Sequence, residues 1–145
     1  MNRSKAVKKP LRGKPVVLVV DDYEDAVDII TELLTFEGYE PVVARNGAEA
    51  LDKAYAQVPD LILMDLSLPE LDGWEASRRL KADKRTAHVP IIALTAHALT
   101  QHAEKARAAG CDAFVTKPCD PDKLMTEIRR FVPAVAPSTP VSSRE

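Results

Sequence analysis

Five polar residues stand at the ends of apolar runs, and their types suit phosphoryl chemistry: Asp21, Asp22, Asp65, Thr95 and Lys117. A carboxylate can attack phosphorus and form an aspartyl phosphate. A lysine ammonium and a threonine hydroxyl can donate hydrogen bonds to phosphoryl oxygens. Three carboxylates repel one another unless a cation lies between them, and Mg²⁺ binds carboxylates, water and phosphate oxygens. Together the five residues predict Mg²⁺-assisted phosphoryl transfer to Asp65.

Each of these residues also has a purely structural explanation when it is taken singly. An aspartate after a strand often forms a turn, Thr95 could cap the helix that follows it, and Lys117 could serve only to balance nearby acids. The chemical interpretation is favoured because all five occur in order, at the ends of apolar runs that have the character of strands.

The elements that position these residues follow from the apolar pattern. Runs without polar alternation, such as Leu61–Met64 before Asp65, are typical of strands buried on both faces of a parallel sheet. The segments between the runs carry apolar residues at helical spacing. We predict strands at residues 15–20, 39–44, 61–65, 90–94 and 112–116, and helices at about 23–37, 46–57, 73–80, 96–109 and 120–132.

Local signals support this division of the chain. Gly38 and Gly110 are placed to end helices, and Asp120 is placed to cap the last helix. Pro41 cannot donate to strand pairing, so the second strand is expected at a sheet edge. Strands alternating with helices predict an α/β fold, a doubly wound five-stranded parallel sheet in which ligands bind outside the carboxyl ends of the strands.

The apolar positions are Ala26, Val27, Ile29, Ile30, Leu33 and Leu34 in the first helix, and Ala48, Leu51, Ala54 and Tyr55 on the inner face of the second.

Length and charge indicate one acidic domain with two tails. The chain has 145 residues, which suits a single domain. Residues 1–14 carry six basic residues and no acid, and the last thirteen residues are neutral, so residues 15–132 carry −8 of the whole-chain charge of −2. An acidic body argues against a nucleic-acid surface. We expect residues 1–13 to be a disordered basic tail, 14–132 the domain, and 133–145 a second disordered tail.

Composition also argues against a membrane protein and against a zinc protein. No segment approaches the roughly 20 apolar residues that cross a bilayer, and the apolar run after the basic start is too short for a signal peptide. Cys111 and Cys119 are too few for a disulfide framework and lack metal-ligand spacing with the three histidines. We expect a cytoplasmic protein with free thiols.

Four motifs together resemble those of the response-regulator receiver domain of two-component signalling, over about residues 14–132. The resemblance implies a flavodoxin-like (βα)₅ sheet with strand order 2-1-3-4-5, which agrees with the edge position expected from Pro41. The motifs are Asp21-Asp22, Met64-Asp65-Leu-Ser-Leu-Pro-Glu-Leu-Asp-Gly73, Leu94-Thr95-Ala96 and Lys117-Pro118.

The resemblance also implies roles for the residues of the site. Asp65 would be the phospho-acceptor, and Thr95 and Lys117 would contact the phosphoryl group. The Mg²⁺ ligands would be Asp21, Asp22, Asp65 and the main-chain carbonyl of Ser67.

A further implication of the resemblance is a conformational switch. Phe114 would change rotamer together with Thr95 on activation, although it lacks the hydroxyl that a tyrosine would offer. The Lys117–Pro118 peptide bond would be cis. Ser67 and His97 occupy positions at which the family tunes the lifetime of the phosphate.

Partners follow from the same resemblance. A sensor histidine kinase or a phosphotransfer protein would supply the phosphoryl group, and a downstream protein would dock on the face formed by helix 96–109, strand 112–116 and helix 120–132. No DNA-binding domain is expected, and no catalysis beyond the protein's own phosphorylation and dephosphorylation. The finer match is to stand-alone regulators of chemotaxis, the cell cycle and polar differentiation, although receivers of hybrid histidine kinases look similar.

Alternative functions of the same fold are separated by single residues. A flavodoxin needs a Ser-, Thr- or Gly-rich phosphate loop where this chain has Asp21-Asp22, and an aspartate-dependent phosphatase needs a second carboxylate where it has Ser67. A phosphorylation-independent binding module and an intermediate of a phosphorelay remain open.

Overall fold

A single parallel sheet forms the centre of the molecule. The computed structural model describes residues 13–66, 73–95, 109–117 and 120–134. All four strand pairings are parallel, and the order across the sheet is β2-β1-β3-β4-β5. The strands are β1 (Val16–Val20), β2 (Glu40–Ala44), β3 (Leu61–Asp65), β4 (Ile91–Thr95) and β5 (Ala113–Thr116). The predicted α/β fold class, five strands and strand order are confirmed.

Four helices lie within the described residues: α1 (Glu24–Phe36), α2 (Gly47–Ala56), α3 (Gly73–Ala82) and α4 (Pro121–Phe131). The Asn46 side chain caps α2 by accepting a hydrogen bond from Glu49 N, and Asp120 caps α4 by accepting one from Asp122 N, as expected. Gly38 follows α1 with a φ of 95°, a left-handed conformation that glycine adopts without strain. The predicted helix 96–109 lies outside the described residues except for Ala109.

Alternate residues of each central strand supply two cores, one on each face of the sheet. On one face Leu18, Ile62 and their neighbours pack against α2 and α3 and form the α2–α3 core. On the other face Val19, Leu63 and their neighbours pack against α1 and α4 and form the α1–α4 core. Because β1, β3 and β4 are covered on both faces, their sequences are apolar up to the last residue of β3 and β4, which is the pattern that identified them.

The buried faces of α1 and α2 differ in part from the predicted ones. The buried residues of α1 are Val27, Ile30 and Leu34, whereas Ile29 is 62% exposed. In α2 Ala50 is buried and Ala48 is exposed. Helical spacing marks a broad stripe, and the narrower part that contacts the sheet depends on how the helix is rotated.

The outer edge of the sheet is poorly suited to pairing with another strand. β2 pairs only with β1, and Glu40 N donates to Pro15 O across that pair at 2.8 Å. Pro41 has no N–H to offer, and the carbonyl oxygen of Val43 accepts a hydrogen bond from Lys53 Nζ. The position at the edge agrees with the expectation from Pro41. In the described part of the chain, no helix has the length and apolar character needed to cross a membrane.

Candidate functional site

The polar residues singled out in the sequence meet at one edge of the sheet. Asp21 comes directly after β1, Asp65 and Thr95 are the last residues of β3 and β4, and Lys117 comes directly after β5. Because the strands are parallel, all these positions lie at the carboxyl edge, where open α/β sheets bind ligands.

The acidic residues form a compact cluster. One carboxylate oxygen from each of Asp21, Asp22 and Asp65 lies within 4.8 Å of the others. Asp21 is completely buried and Asp65 is 3% exposed, while Asp22 is exposed. Oxygen donors at this spacing fit a hard divalent cation such as Mg²⁺, which binds through one or two carboxylates and keeps several waters.

Lys117 is the positive group of the cluster. Its Nζ lies 3.0 Å from Asp21 Oδ2 and 3.6 Å from Asp65 Oδ2. Its backbone N–H donates to Thr95 O at 2.7 Å, which fixes the start of the side chain beside β4. Within the described residues, one ammonium faces three carboxylates, and this excess of negative charge favours a bound cation.

Hydrogen bonds to both of its carboxylate oxygens fix the position of Asp21. Its Oδ1 accepts a hydrogen bond from Tyr23 N at 3.0 Å, and its Oδ2 accepts one from Lys117 Nζ. The backbone N–H of Asp21 donates to Ala44 O at 3.1 Å, which ties the same residue to the end of β2. The sequence motif predicted the carboxylate but gave no sign of the contribution from the main chain of Tyr23.

Thr95 and Phe114 lie on adjacent strands. Thr95 is 6% exposed and is paired in register with Thr116, while Phe114 is paired with Ala93, two residues earlier. Phe114 is half-buried and packs against the α2–α3 core. It also lines an open depression of about 650 Å³ between β5 and α4, together with Lys117, Lys123 and Glu127.

Gly73 belongs to the site in a way that the sequence did not indicate. The sequence marks it as the start of a helix and as the last residue of the motif from Met64 to Gly73. In the structure it lies against the main chain of Asp65, and a methyl group there would be 2.2 Å from the Asp65 carbonyl oxygen. An Asp-Gly pair shortly after the central carboxylate was the available signal, and it does not distinguish a helix start from a close contact.

Some expectations fall outside the described residues. These are the carbonyl of Ser67 as a metal ligand, the cis Lys117–Pro118 peptide bond, and the roles of His97 and of helix 96–109.

Cys111 has a free, buried thiol, as expected. Burial is the main cause of its raised pKa, and its Sγ donates to Ser77 Oγ at 3.7 Å. Both the burial and the raised pKa favour the neutral thiol form of Cys111.

Comparisons with known proteins agree with this geometry. The family model described as the response regulator receiver domain matches residues 17–129. The polar-differentiation response regulator DivK of Brucella anthropi is 40% identical over 116 residues, which cover 80% of this chain and 94% of DivK.

Solved structures show the same fold. The chemotaxis response regulator CheY4 of Vibrio cholerae superimposes with a TM-score of 0.78 at 28% identity, covering 81% of this chain and 98% of CheY4. The receiver domain of sensor histidine kinase PA1611 from Pseudomonas aeruginosa, solved with a magnesium ion in its active-site cleft, superimposes with a TM-score of 0.76 at 35% identity, covering 81% and 96%. With its five-stranded parallel sheet and its acidic cluster at the carboxyl edge, the chain belongs to the family of response regulator receiver domains.

Proposed function

We propose that this receiver accepts a phosphoryl group on Asp65 and signals through protein contacts that depend on that group. One observation carries the proposal. The Asp65 carboxylate is buried at the end of the central strand, beside Asp21 and Asp22 and 3.6 Å from Lys117 Nζ. This arrangement places a nucleophile, a cation site and a fixed positive charge around one point.

The transfer step follows from these positions. A carboxylate oxygen of Asp65 forms a bond to phosphorus while the bond between phosphorus and the donor breaks, and the donor leaves with the electron pair. Lys117 Nζ and the Thr95 hydroxyl act as donors to the oxygens of the transferred group, on which negative charge accumulates. Outside its own phosphorylation and dephosphorylation, no catalysis is proposed.

Mg²⁺ is the cation proposed for the acidic cluster. Asp21, Asp22 and Asp65 would hold it, together with the main-chain carbonyl of Ser67. The ion would neutralise the carboxylates and phosphoryl oxygens that must approach one another. The magnesium ion in the cleft of the PA1611 receiver supports this choice.

The phosphoryl group would come from a sensor histidine kinase or a phosphotransfer protein. DivK and CheY4 are response regulators, and the PA1611 domain is part of a sensor histidine kinase. The likeness to the PA1611 receiver supports the alternative that this chain is an intermediate of a phosphorelay. The intact acidic cluster argues against a phosphorylation-independent binding module. A cytoplasmic location is proposed with these partners.

A downstream partner would dock on the face that includes β5 and α4. A dianion on Asp65 draws the Thr95 hydroxyl toward it, and this movement opens space beside β5 that the Phe114 ring can enter. Burying more of a phenyl ring contributes on the order of 2 kcal/mol, which is a bias sufficient to shift a two-state equilibrium substantially. The depression between β5 and α4 would then change shape.

The Asp65→Asn substitution tests the proposed phospho-acceptor. Incubation of the full chain with a small acyl phosphate and Mg²⁺ should add one phosphoryl group to the wild type, as measured by intact mass. The Asp65→Asn protein should gain none, because the amide is a poor nucleophile. Asp28→Asn, at an exposed position of α1, is the matched control and should be labelled like the wild type.

Two results would contradict the proposal. Labelling of Asp65→Asn at the stoichiometry of the wild type would show that another residue is the acceptor. Equal labelling of the wild type with and without Mg²⁺ would show that the acidic cluster has no metal role in the reaction.

A further inference from the structure

Gly73 is in close contact with the residue that carries the chemistry. A methyl group at Gly73 would lie 2.2 Å from the Asp65 carbonyl oxygen, 2.9 Å from Leu66 Cα and 3.0 Å from the Asp65 carbonyl carbon. Side-chain Cβ atoms essentially never approach a non-bonded heavy atom outside their own stretch of chain to less than 3.0 Å. Any side chain at residue 73 therefore has to move either α3 or the end of β3.

The contact at Gly73 differs from those at two other glycines. At Gly110 a methyl group would meet the side chain of Lys81 at 2.7 Å, and at Gly38 the nearest atom, Ala134 Cβ, would be 3.5 Å away. Both of these neighbours are side-chain atoms. At Gly73 all three nearest atoms are main-chain atoms of Asp65 and Leu66, which have no rotamers through which to yield.

α3 is held firmly and cannot easily retreat. Ala76 and Leu80 are completely buried in the α2–α3 core. Ser77 is also completely buried and accepts a hydrogen bond from Cys111 Sγ. Moving the helix away from the sheet would open cavities along this face, and cavities in a packed core are costly.

The end of β3 is the weaker side of the contact. Asp65 is the last residue of the strand, and Leu66 N donates to Leu94 O at 3.0 Å just beyond it. A small displacement there would not disturb the fully buried residues from Leu61 to Met64. It would rotate or shift the Asp65 carboxylate, which extends from the same main-chain segment.

We propose that Gly73 is a positioning residue for phosphoryl transfer. Its lack of a side chain lets the start of α3 hold the main chain of Asp65 and Leu66, and this contact sets the place of the Asp65 carboxylate relative to Asp21 and Lys117. The inference rests on the proposed function of Asp65 as the phospho-acceptor.

Gly73→Ala tests the inference, with Ala76→Gly as the matched control. The first variant adds a methyl group at the contact, and the second removes one from the same helix one turn later, at a site that destabilises α3 without touching Asp65. Both variants are compared with the wild type as full-length chains, under conditions in which circular dichroism shows them folded.

Three measurements distinguish positioning from a general loss of stability. Amide hydrogen exchange of Leu66, measured against that of Ile62 inside β3, should quicken about tenfold in Gly73→Ala. Mg²⁺ affinity, followed by the fluorescence of Trp74, the single tryptophan, should weaken about tenfold. Labelling by the acyl phosphate should slow about a hundredfold. In Ala76→Gly the exchange ratio, the Mg²⁺ affinity and the labelling rate should stay close to those of the wild type.

Each outcome decides the inference. A folded Gly73→Ala protein with the Mg²⁺ affinity and labelling rate of the wild type would overturn it. A variant that stays unfolded even in trimethylamine N-oxide, which favours compact states, would overturn it too, because residue 73 would then limit the whole fold. If the wild type itself takes up no phosphoryl group, the proposed function fails, and the exchange of Leu66 in metal-free protein still decides whether Gly73 holds the end of β3.

Discussion

The proposed function gives Lys117 two roles in the acidic cluster that oppose each other. Its ammonium lies 3.0 Å from Asp21 and 3.6 Å from Asp65, so it compensates the same carboxylates that are proposed to hold Mg²⁺. A cation and an ammonium compete for such oxygens, whereas a phosphoryl group on Asp65 benefits from both. We therefore expect Lys117 to reduce the affinity for metal and to stabilise a transferred phosphoryl group.

Lys117→Met separates these two tasks. Removing the ammonium should strengthen Mg²⁺ binding, because more negative charge then faces the ion. Labelling by the acyl phosphate should slow about a hundredfold, the usual cost of losing one charge-stabilising donor. Trp74 fluorescence reports the first effect and intact mass the second.

The control for this substitution is Lys84→Met, at an exposed lysine in the loop after α3. Both the Mg²⁺ affinity and the labelling rate should match those of the wild type. Weaker Mg²⁺ binding in Lys117→Met would show that the lysine orders the carboxylates more than it competes with the ion.

At the scale of the element, the pairing of β4 with β5 links the site to the surface on which the proposed switch would act. Thr95 stands at the end of β4, and Phe114 is on the neighbouring strand, in register with Ala93. Phe114 packs against the α2–α3 core, and it also lines the depression beside α4. The ring is half-buried in the described structure, so its exposed part could still be buried by the proposed rotamer change.

Phe114→Ala should uncouple phosphorylation from the response of the surface. Labelling of Asp65 should persist, because the ring does not contact the acidic cluster in the proposed step. The NMR shifts that phosphorylation produces at the Leu124 and Met125 amides of α4 should shrink strongly, because the moving group is gone.

Val42→Ala is the matched control, since Val42 is also a partly buried residue packed on the same core but lies on β2. It should leave the α4 response intact. Equal α4 shifts in Phe114→Ala and in the wild type would identify Phe114 as a core residue without a switching role.

At the scale of the molecule, residues 132–134, the C-terminal end of the described part of the chain, contact the core. Val132 and Ala134 pack on the α1–α4 core, and the Val132 carbonyl accepts a hydrogen bond from the buried Tyr39 hydroxyl at 2.6 Å. Burial is the main cause of the raised pKa of Tyr39, which keeps this donor protonated well beyond neutral pH. The domain boundary expected at residue 132 stays a prediction that truncation can test.

Deletion of residues 1–12 and 135–145 should change the unfolding midpoint by less than about 2 °C and leave labelling of Asp65 unchanged. Neither segment has an apolar pattern that could pack on the domain. Thermal unfolding followed by circular dichroism measures the effect. A chain ending at residue 131 is the positive control and should unfold several degrees lower, since it loses the Val132 and Ala134 contacts. An equally large loss for the first truncation would show that one of the tails packs on the domain.

Much of the fold and of the site could be predicted because the signals are local. The apolar runs before Asp21 and Asp65 mark strands that are covered on both faces, and this coverage removes polar residues from the whole run. Polar residues can then appear only where a strand ends. In a parallel sheet the carboxyl ends of the strands share one edge, so the residue types at those ends indicate the chemistry before any distance is known.

The relations between distant parts of the chain were decided only by the tertiary structure. Lys117 reaches Asp21 across 96 residues of sequence, Gly73 touches the main chain of Asp65, and Ile29 is exposed although it belongs to the apolar stripe of α1. The helical repeat gives the angle between residues but not the rotation of the helix on the sheet. A glycine in the sequence does not indicate which atoms lie beside it in the folded protein. These features are decided by packing between elements, and the local pattern of residues contains no information about that packing.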